Sequence, residues 1–475
     1  MPPNLLFLYT DEQRFDTMGA YGNRRIETPN LDRLAETSTV FDEAYVTQPV
    51  CTPSRSTLLT GLYPHTNGCL ANNVPLPADV PCLPQILPRG VYATAHHGKW
   101  HLGDEIFPQH GFQHWRAIED MYRGYYSPGR CREKLSHYQR WLQQERGVEP
   151  PEGSDHLNRS QVARLPEELS KPAYLAQEAS RFIRANRGRP FVLYVNFLEP
   201  HMPFTGPRDG QYDPAEVPLP DNFEAAPGPA QPLKARSNHL RWSSRFETEE
   251  DWRALIARYW GLCSQVDTHV GTILDALEEC GLTDETIVVY TSDHGDMMGS
   301  HQLAAKTVMY QEAVRVPLMV RLPGQTEGRR VRGPVSQIDL VPTLLDLMGA
   351  PLPDHLEGKS LRAALTGEVE ALTEDIFIEW NGVEGYDPKW QVPGADEQEV
   401  KASYHDPVRT IITPDGWRFS CSPLGEHELY NLREDPGETV NLAMQEQHRP
   451  VMRELCGHIA AWQERTADHV ELPEL

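Results

Sequence analysis

The residues able to do chemistry fall in a few short strings. Cys51-Thr52-Pro53-Ser54-Arg55 sets a thiol two residues ahead of a proline. Proline suits the first turn of a helix, so the string predicts a helix starting at Pro53 with Cys51 just before its N-terminus. Free N–H groups and the helix dipole favour an anion there. On its own Cys51 reads either as a buried, incidental thiol or as a nucleophilic thiolate paired with a histidine. Asp11 closes an apolar run in Thr10-Asp11-Glu12-Gln13-Arg14, and Asp293-His294 closes another in Tyr290-Thr291-Ser292-Asp293-His294-Gly295. Ligands of open α/β sheets bind at the carboxyl ends of strands. Two acidic clusters at such ends predict a hard-cation site, although an imidazole suits Mn²⁺ or Zn²⁺ better than Ca²⁺. His201 lies just past a third run, in Asn196-Phe197-Leu198-Glu199-Pro200-His201-Met202-Pro203-Phe204, and Lys306 follows Asp293 by thirteen residues. Read alone, that histidine is structural or exposed and that lysine is a surface group.

The longer strings resemble a known family. Cys51 to Gly61 (CTPSRSTLLTG) closely resembles the signature of the type I sulfatases, in the alkaline phosphatase superfamily. In that family the cysteine of Cys-x-Pro-Ser-Arg is oxidised after translation to formylglycine. A second signature resembles Gly90 to Gly103 (GVYATAHHGKWHLG), in the expected order along the chain. The resemblance implies a divalent metal held by Asp11, Glu12, Asp293, His294 and the oxygen on residue 51, with Ca²⁺ favoured and Mn²⁺ open. Many members carry Asp-Asp where this chain has Asp11-Glu12, and His294 replaces an amide found in some. The resemblance also implies roles. The formylglycine hydrate at residue 51 attacks sulfur, held by the metal and Arg55. Lys99 and Lys306 bind the sulfate oxygens, His201 protonates the leaving alcohol with help from Lys306, and His101 takes the proton of the second hydroxyl. Arg14 is expected to support the metal carboxylates or the nucleophile, and His96, His97 and His301 to be structural or to lie around the site. A formylglycine-generating enzyme is the maturation partner and a small sulfated compound the substrate.

Such chemistry suits a sulfate ester, whose leaving oxygen departs as an anion, so a strong oxygen nucleophile, fixed positive charge and a proton donor are required. A related reading is a phosphonate monoester or phosphodiester hydrolase of the same superfamily, whose members tend to lack the Lys and His of Gly-Lys-Trp-His-Leu-Gly; here Lys99 and His101 are both present. A reading from another class is a non-catalytic sulfated-glycan-binding protein.

These groups need a scaffold that brings strand ends together. Leu5–Tyr9, Phe191–Leu198, Thr286–Thr291 and Pro317–Leu322 are short apolar runs without strict alternation, as in strands buried on both faces. Between them Trp252–Cys280 keeps helical apolar spacing up to Gly281, and Asp339–Met348 predicts another helix. Alternating strands and helices predict an α/β fold: a large, mostly parallel or mixed sheet sandwiched by helices, alkaline phosphatase-like by resemblance. The expected catalytic α/β domain covers 1–370. Residues 371–475 form a smaller C-terminal α+β subdomain, with short antiparallel strands at Ile376–Trp380, Val408–Thr413 and Trp417–Cys421, a Pro414-Asp415-Gly416 turn and a helix at Arg449–Glu464. Residues 120–175 and 200–250 read as insertions carrying specificity, with Met202–Pro232 an irregular proline-rich loop. Tyr122, Tyr125, Tyr126, Trp242, Trp380 and Trp390 are candidates to stack on a sugar or aryl ring, against ordinary packing.

Composition bounds the partners. The 475 residues carry 44 Lys plus Arg against 68 Asp plus Glu, a formal charge of −24. That excess speaks against nucleic acid or an anionic membrane. It also favours a small, singly sulfated substrate over a long polyanion. No apolar run reaches the 18 residues or so of a membrane span, and the start of the chain carries no basic, apolar leader pattern. Eight irregularly spaced cysteines with no CxxC pair match neither a zinc site nor a disulfide framework. These features predict a cytoplasmic protein; oligomeric state is left open.

Overall fold

The computed structural model describes residues 2–382 and 389–475. Eight strands form one sheet: β1 Asn4–Asp11, β2 Thr39–Tyr45, β3 Ala93–Gly98, β4 His114–Ala117, β5 Phe191–Pro200, β6 Thr286–Ser292, β7 Arg315–Arg321 and β8 Arg329–Ser336. Their order is β4-β3-β5-β1-β6-β7-β2-β8. All neighbours are parallel except that β7 runs antiparallel to both β6 and β2. The sheet is therefore mixed, and two antiparallel steps leave β2 pointing the same way as β1, β3, β5 and β6.

All eight residues of β1 are buried. Because successive side chains point to opposite faces, Leu5, Phe7 and Tyr9 enter one core and Leu6 and Leu8 the other. The first core is closed by helix α1 (Cys51–Thr60) and helix α5 (Leu340–Leu347). The second is closed by α2 (Lys171–Ala185) and the long α4 (Glu249–Glu279). This two-sided burial explains why the strands read as apolar runs rather than alternating ones. Helix α4 starts on a capping box between Thr248 and Asp251 and stops before Gly281, whose φ of 67° suits glycine.

A second, four-stranded antiparallel sheet orders β12-β11-β10-β9, from β9 Ile376–Glu379, β10 Arg409–Ile412, β11 Trp417–Cys421 and β12 Glu428–Asn431. Helix α6 (Arg449–Thr466) packs on it through Met452, Leu455, Ile459 and Trp462. The Pro414-Asp415-Gly416 turn joins β10 to β11, as expected.

Two expectations are corrected. The helix predicted from Pro53 starts at Cys51, with Pro53 third in it. The first four N–H groups of a helix have no intrahelical partner, so proline fits anywhere in that turn. The 200–250 insertion is not loop throughout: α3 (Leu233–Ser243) lies within it. Its buried face uses Lys234, Ser237 and Asn238 beside Ala235 and Trp242, so the apolar period that announces a helix is missing. Among the described residues no helix is long and apolar enough to cross a membrane.

Candidate active site

Sheet register gathers the site at one edge. Thr10 pairs with Ser292, and Asp11 pairs with Pro200, so Asp11, Asp293 and His201 leave three adjacent parallel strands side by side. Gly98 pairs with Asn196 and delivers Lys99 and His101 from β3. A Cβ at Gly98 would overlap the Asn196 carbonyl, and its φ of 122° also requires glycine. Beyond the end of β2 the chain enters α1 with Cys51 at its first position, and Lys306 comes from the segment between β6 and β7.

Asp11, Cys51, Asp293 and His294 are fully buried and offer ligand atoms that all lie within 4.8 Å of one another. Cys51 Sγ stands 3.2 Å from His294 Nε2 and 3.6 Å from Asp11 Oδ1. His294 Nε2 stands 3.7 Å from Asp11 Oδ1 and 3.6 Å from Asp293 Oδ1. Donors sharing one ion at bonds of roughly 2.2 Å and angles near 90–110° stand about 3.1–3.6 Å apart, so the set fits a divalent cation. Two carboxylates and an imidazole suit Mn²⁺ as well as Ca²⁺. His294 Nδ1 lies 2.9 Å from the Gly295 carbonyl, which leaves Nε2 for the ion.

Arg55 organises the carboxylates. Its Nε donates to Asp293 Oδ2 at 2.7 Å, Nη2 to Asp11 Oδ2 at 2.8 Å and Nη1 to the Lys99 carbonyl at 2.8 Å. Lys99 Nζ donates to the same Asp11 oxygen. Burial raises the Asp11 carboxyl, but Lys99, His201 and Arg55 outweigh it and hold it well below its usual range. The Cys51 thiol is lowered too: burial and Asp11 oppose this, and Lys306, Lys99 and His294 prevail.

Glu12 lies next to this group and shares a second one with Asp11 and His201. Its φ is 71°, a left-handed conformation costly for glutamate. It is held there by its N–H donating to Asp293 Oδ1 at 3.1 Å and its carbonyl accepting from Tyr259 Oη at 2.5 Å. The buried Glu12 carboxylate faces Lys306 Nζ at 3.0 Å and His201 Nε2 at 3.4 Å, and it also groups with Asp11 and His201. Burial pushes its pKa up to about 8, with Lys306 opposing. Lys306 and His201 each keep 11% of their side chains exposed, whereas Asp11, Glu12, Arg55, Lys99, Asp293 and His294 keep none. Burial, then Lys306, holds His201 well below the usual imidazole range, and burial, then Lys99 and Arg55, does the same for His101.

Arg14 is placed elsewhere than expected. It pairs with Asp16 at 2.7 Å and donates to the Met297 carbonyl, because the left-handed turn at Glu12 redirects the chain away from the carboxylates. His96 is buried in an aromatic cluster, stacked on Trp115 at 4.7 Å, and His301 stacks on Tyr310 and bonds Asn222. Trp242 and Trp380 are core residues, and Tyr126 packs against Phe107, so ordinary packing accounts for all three. Tyr122 stacks on His101 instead of on solvent. Four residues near the site were not legible beforehand. Glu105 takes the N–H groups of Trp100 and His101 at 2.7 Å each, Asn72 and Asn73 bond Thr52, and Arg159 bonds Tyr122. Nothing in their local strings marks them: Asn72, Asn73 and Arg159 act on residues 20 or more positions away, and Glu105 on its near neighbours only through their backbone N–H groups.

Residues 3–350 match the Sulfatase family model, and residues 299–404 match the C-terminal model of N-sulphoglucosamine sulphohydrolase. The uncharacterized sulfatase YidJ of Escherichia coli K12 is 29% identical over 446 residues, covering 93% of this chain and 83% of YidJ. The N-acetylglucosamine-6-O-sulfatase of Bacteroides thetaiotaomicron is 26% identical over 98% of this chain and 87% of its own length. The solved structure of the phosphonate monoester hydrolase SpPMH from Silicibacter pomeroyi superposes with a TM-score of 0.80 at 26% identity, covering 98% of this chain and 96% of that one. With the family model spanning most of the catalytic sheet and sulfatases aligned along nearly the whole length, the chain belongs to the sulfatase family of the alkaline phosphatase superfamily and is a sulfuric ester hydrolase.

Proposed function

We propose that the chain hydrolyses an aryl or carbohydrate sulfate ester to inorganic sulfate and an alcohol, with residue 51 carried as formylglycine and one divalent ion, Ca²⁺ ahead of Mn²⁺. The convergence of Cys51 with Asp11, Asp293 and His294, flanked by Lys99 and Lys306, carries this reading. An aldehyde hydrate at residue 51 supplies an oxygen nucleophile together with a second hydroxyl through which sulfate can be released by C–O cleavage. Asp11, Asp293 and His294, together with Glu12 and the oxygen on residue 51, would hold the ion, which would supply positive charge against nucleophile and sulfate.

The chain's own groups do the rest. Arg55 fixes both carboxylates toward the ion. Lys99 is paired with Asp11 and Lys306 with Glu12 at 3.0 Å, and these ion pairs remain once residue 51 is formylglycine. Both stay cationic and bind sulfate oxygens. His201 Nδ1 lies 2.8 Å from the Met202 carbonyl and so carries the ring's own proton, which leaves Nε2, facing Glu12 beside Lys306, to relay a proton from Lys306 to the leaving oxygen. His101 accepts the proton of the second hydroxyl. The −24 charge of the chain supports a small, singly sulfated substrate over a long polyanion. Maturation calls for a formylglycine-generating enzyme.

The likeness to a phosphonate monoester hydrolase supports a second reading, hydrolysis of phosphonate monoesters or phosphodiesters. Lys99 and His101 favour sulfate. A non-catalytic glycan-binding role is disfavoured by the intact set of groups. Peptide mass spectrometry should find oxygen in place of sulfur at residue 51; unmodified cysteine in fully active protein would sink the reading. On the same preparation kcat/KM should be higher for an aryl sulfate than for an aryl phosphodiester, and the reverse order would favour the second reading.

A further inference from the structure

His101 is gripped more tightly than a solvated base would be. Its φ of 58° is left-handed, its N–H is taken by Glu105 at 2.7 Å, and its carbonyl accepts from Thr52 Oγ1 at 2.7 Å. The same hydroxyl accepts the backbone N–H of Asn73 at 3.2 Å, and Asn73 is itself left-handed at φ 67°. Asn73 is thereby registered against both Thr52, next to residue 51, and His101. Its side chain then reaches the imidazole: Asn73 Oδ1 lies 3.0 Å from His101 Nε2. One face of the ring is covered by Tyr122, with centroids 4.1 Å apart and planes 23° apart. Tyr122 Oη accepts from Arg159 Nη2 at 2.9 Å, Arg159 Nε donates to Glu119 at 2.8 Å, and Lys171 binds the other Glu119 oxygen. The remaining ring atom, Nδ1, is buried and has no hydrogen-bond partner.

We infer that Asn73 and Tyr122 are positioning residues that hold His101 as the neutral tautomer protonated on Nε2, so that Nδ1 is the atom that accepts the proton when sulfate is expelled. This rests on the proposed function above for the role of His101, but the tautomer itself does not. An amide oxygen can only accept, so it fixes the proton on Nε2. The opposite tautomer would bury an N–H on Nδ1 with no acceptor, the rarer kind of orphan in folded proteins. The stack with Tyr122 fixes the ring plane, and so the direction of the Nδ1 lone pair. In the step itself Nδ1 takes the hydroxyl proton. The O–H pair becomes the carbonyl bond, and the C–O bond to sulfate breaks with its pair leaving on sulfate. Residues 120–175 thus supply a clasp for the base through Tyr122 and Arg159.

The test uses the full-length holoenzyme labelled with [¹⁵N]histidine, with the His101 signals identified by their loss in His101→Gln. The wild type and Asn73→Asp, which keeps an acceptor oxygen, should both show His101 protonated on Nε2. Asn73→Leu should show the Nδ1–H form or a mixture. A base in the wrong tautomer forfeits a contribution of about 10²–10⁴-fold, so Asn73→Leu should lower kcat by about 100-fold or more. KM should change less than about threefold, since no substrate contact is removed. Formylglycine content by mass should equal that of the wild type, and Asn73→Asp should recover kcat to within about tenfold. Tyr122→Phe should leave kcat near wild type, whereas Tyr122→Ala should lower it. An unchanged His101 tautomer in Asn73→Leu, or an Asn73→Asp as slow as Asn73→Leu, overturns the inference. A wild type without sulfatase activity would instead overturn the proposed function, because the tautomer is read without turnover.

Discussion

Replacing Arg55 by alanine removes the fork that joins the two carboxylates of the cluster. Neither Arg55 nor its partners Asp11 and Asp293 has any side-chain surface in contact with solvent. Breaking a buried ion pair by removing one partner costs roughly 3–5 kcal/mol, because the charge left behind has no water to turn to. Asp11 keeps Lys99. Asp293 keeps the Glu12 N–H and the His294 ring at 3.6 Å. The loss therefore falls in the lower part of that range, about 3–4 kcal/mol. At about 2.1 cal/mol/K per residue, a 475-residue chain unfolds with an entropy near 1 kcal/mol/K. Scanning calorimetry of metal-free protein should then show Tm about 3–4 °C lower in Arg55→Ala. Arg55→Lys keeps the charge but not the three-way geometry, so it should fall between the two. Agreement of calorimetric and van't Hoff enthalpies is needed for the conversion to hold. A shift under about 1 °C in Arg55→Ala, on the same conversion, would refute the claim that this guanidinium holds the carboxylates together.

Other outcomes follow from the same geometry. Stripping divalent ions with a chelator should lower Tm by about 3 °C relative to protein kept at a hundredfold excess over Kd, where binding contributes about 2.7 kcal/mol. Readdition of Ca²⁺ and Mn²⁺ separately then ranks the two metals, and a Tm indifferent to complete metal removal would disprove the four-donor site. Burial, with Arg55 adding, pushes His96 down to about 3 from 6.5. Between those values the unfolded chain binds a proton that the fold excludes. Stability is therefore full above 6.5 and is lost as pH falls toward 3, by about 1.4 kcal/mol per pH unit. His96→Phe, which keeps the stack on Trp115, should flatten Tm against pH across this window, and identical slopes would contradict it.

Legibility followed the range of the interactions. The strand at Leu5–Tyr9 was readable because burial on both faces demands an unbroken apolar run, and Cys51 because its signature is local. Asp293-His294 was readable because a turn at a strand end is also local. Arg14 lies three residues past Asp11 in sequence but pairs with Asp16, because one left-handed residue, Glu12, turns the chain between them. The helix Leu233–Ser243 was hidden by its polar buried face. Tyr122 reads in sequence as an aromatic able to stack, but its partner is an imidazole twenty-one positions earlier in the chain.

By itself the sequence determined the strand runs, the thiol at a helix start, the acid and base residue types, and a strongly acidic exterior. It could do so because each depends on composition or on a few neighbouring residues. Only the tertiary structure decided which charges meet. Sheet register places Asp11 between Pro200 and the Asp293 turn, and the two antiparallel steps at β7 turn β2 so that Cys51 arrives at the same edge. A cluster of Arg55, Lys99 and Lys306 inside a chain of charge −24 is a property of that convergence: in a dry interior the few charges within several ångströms set the field, while the many at the surface are screened by water and salt.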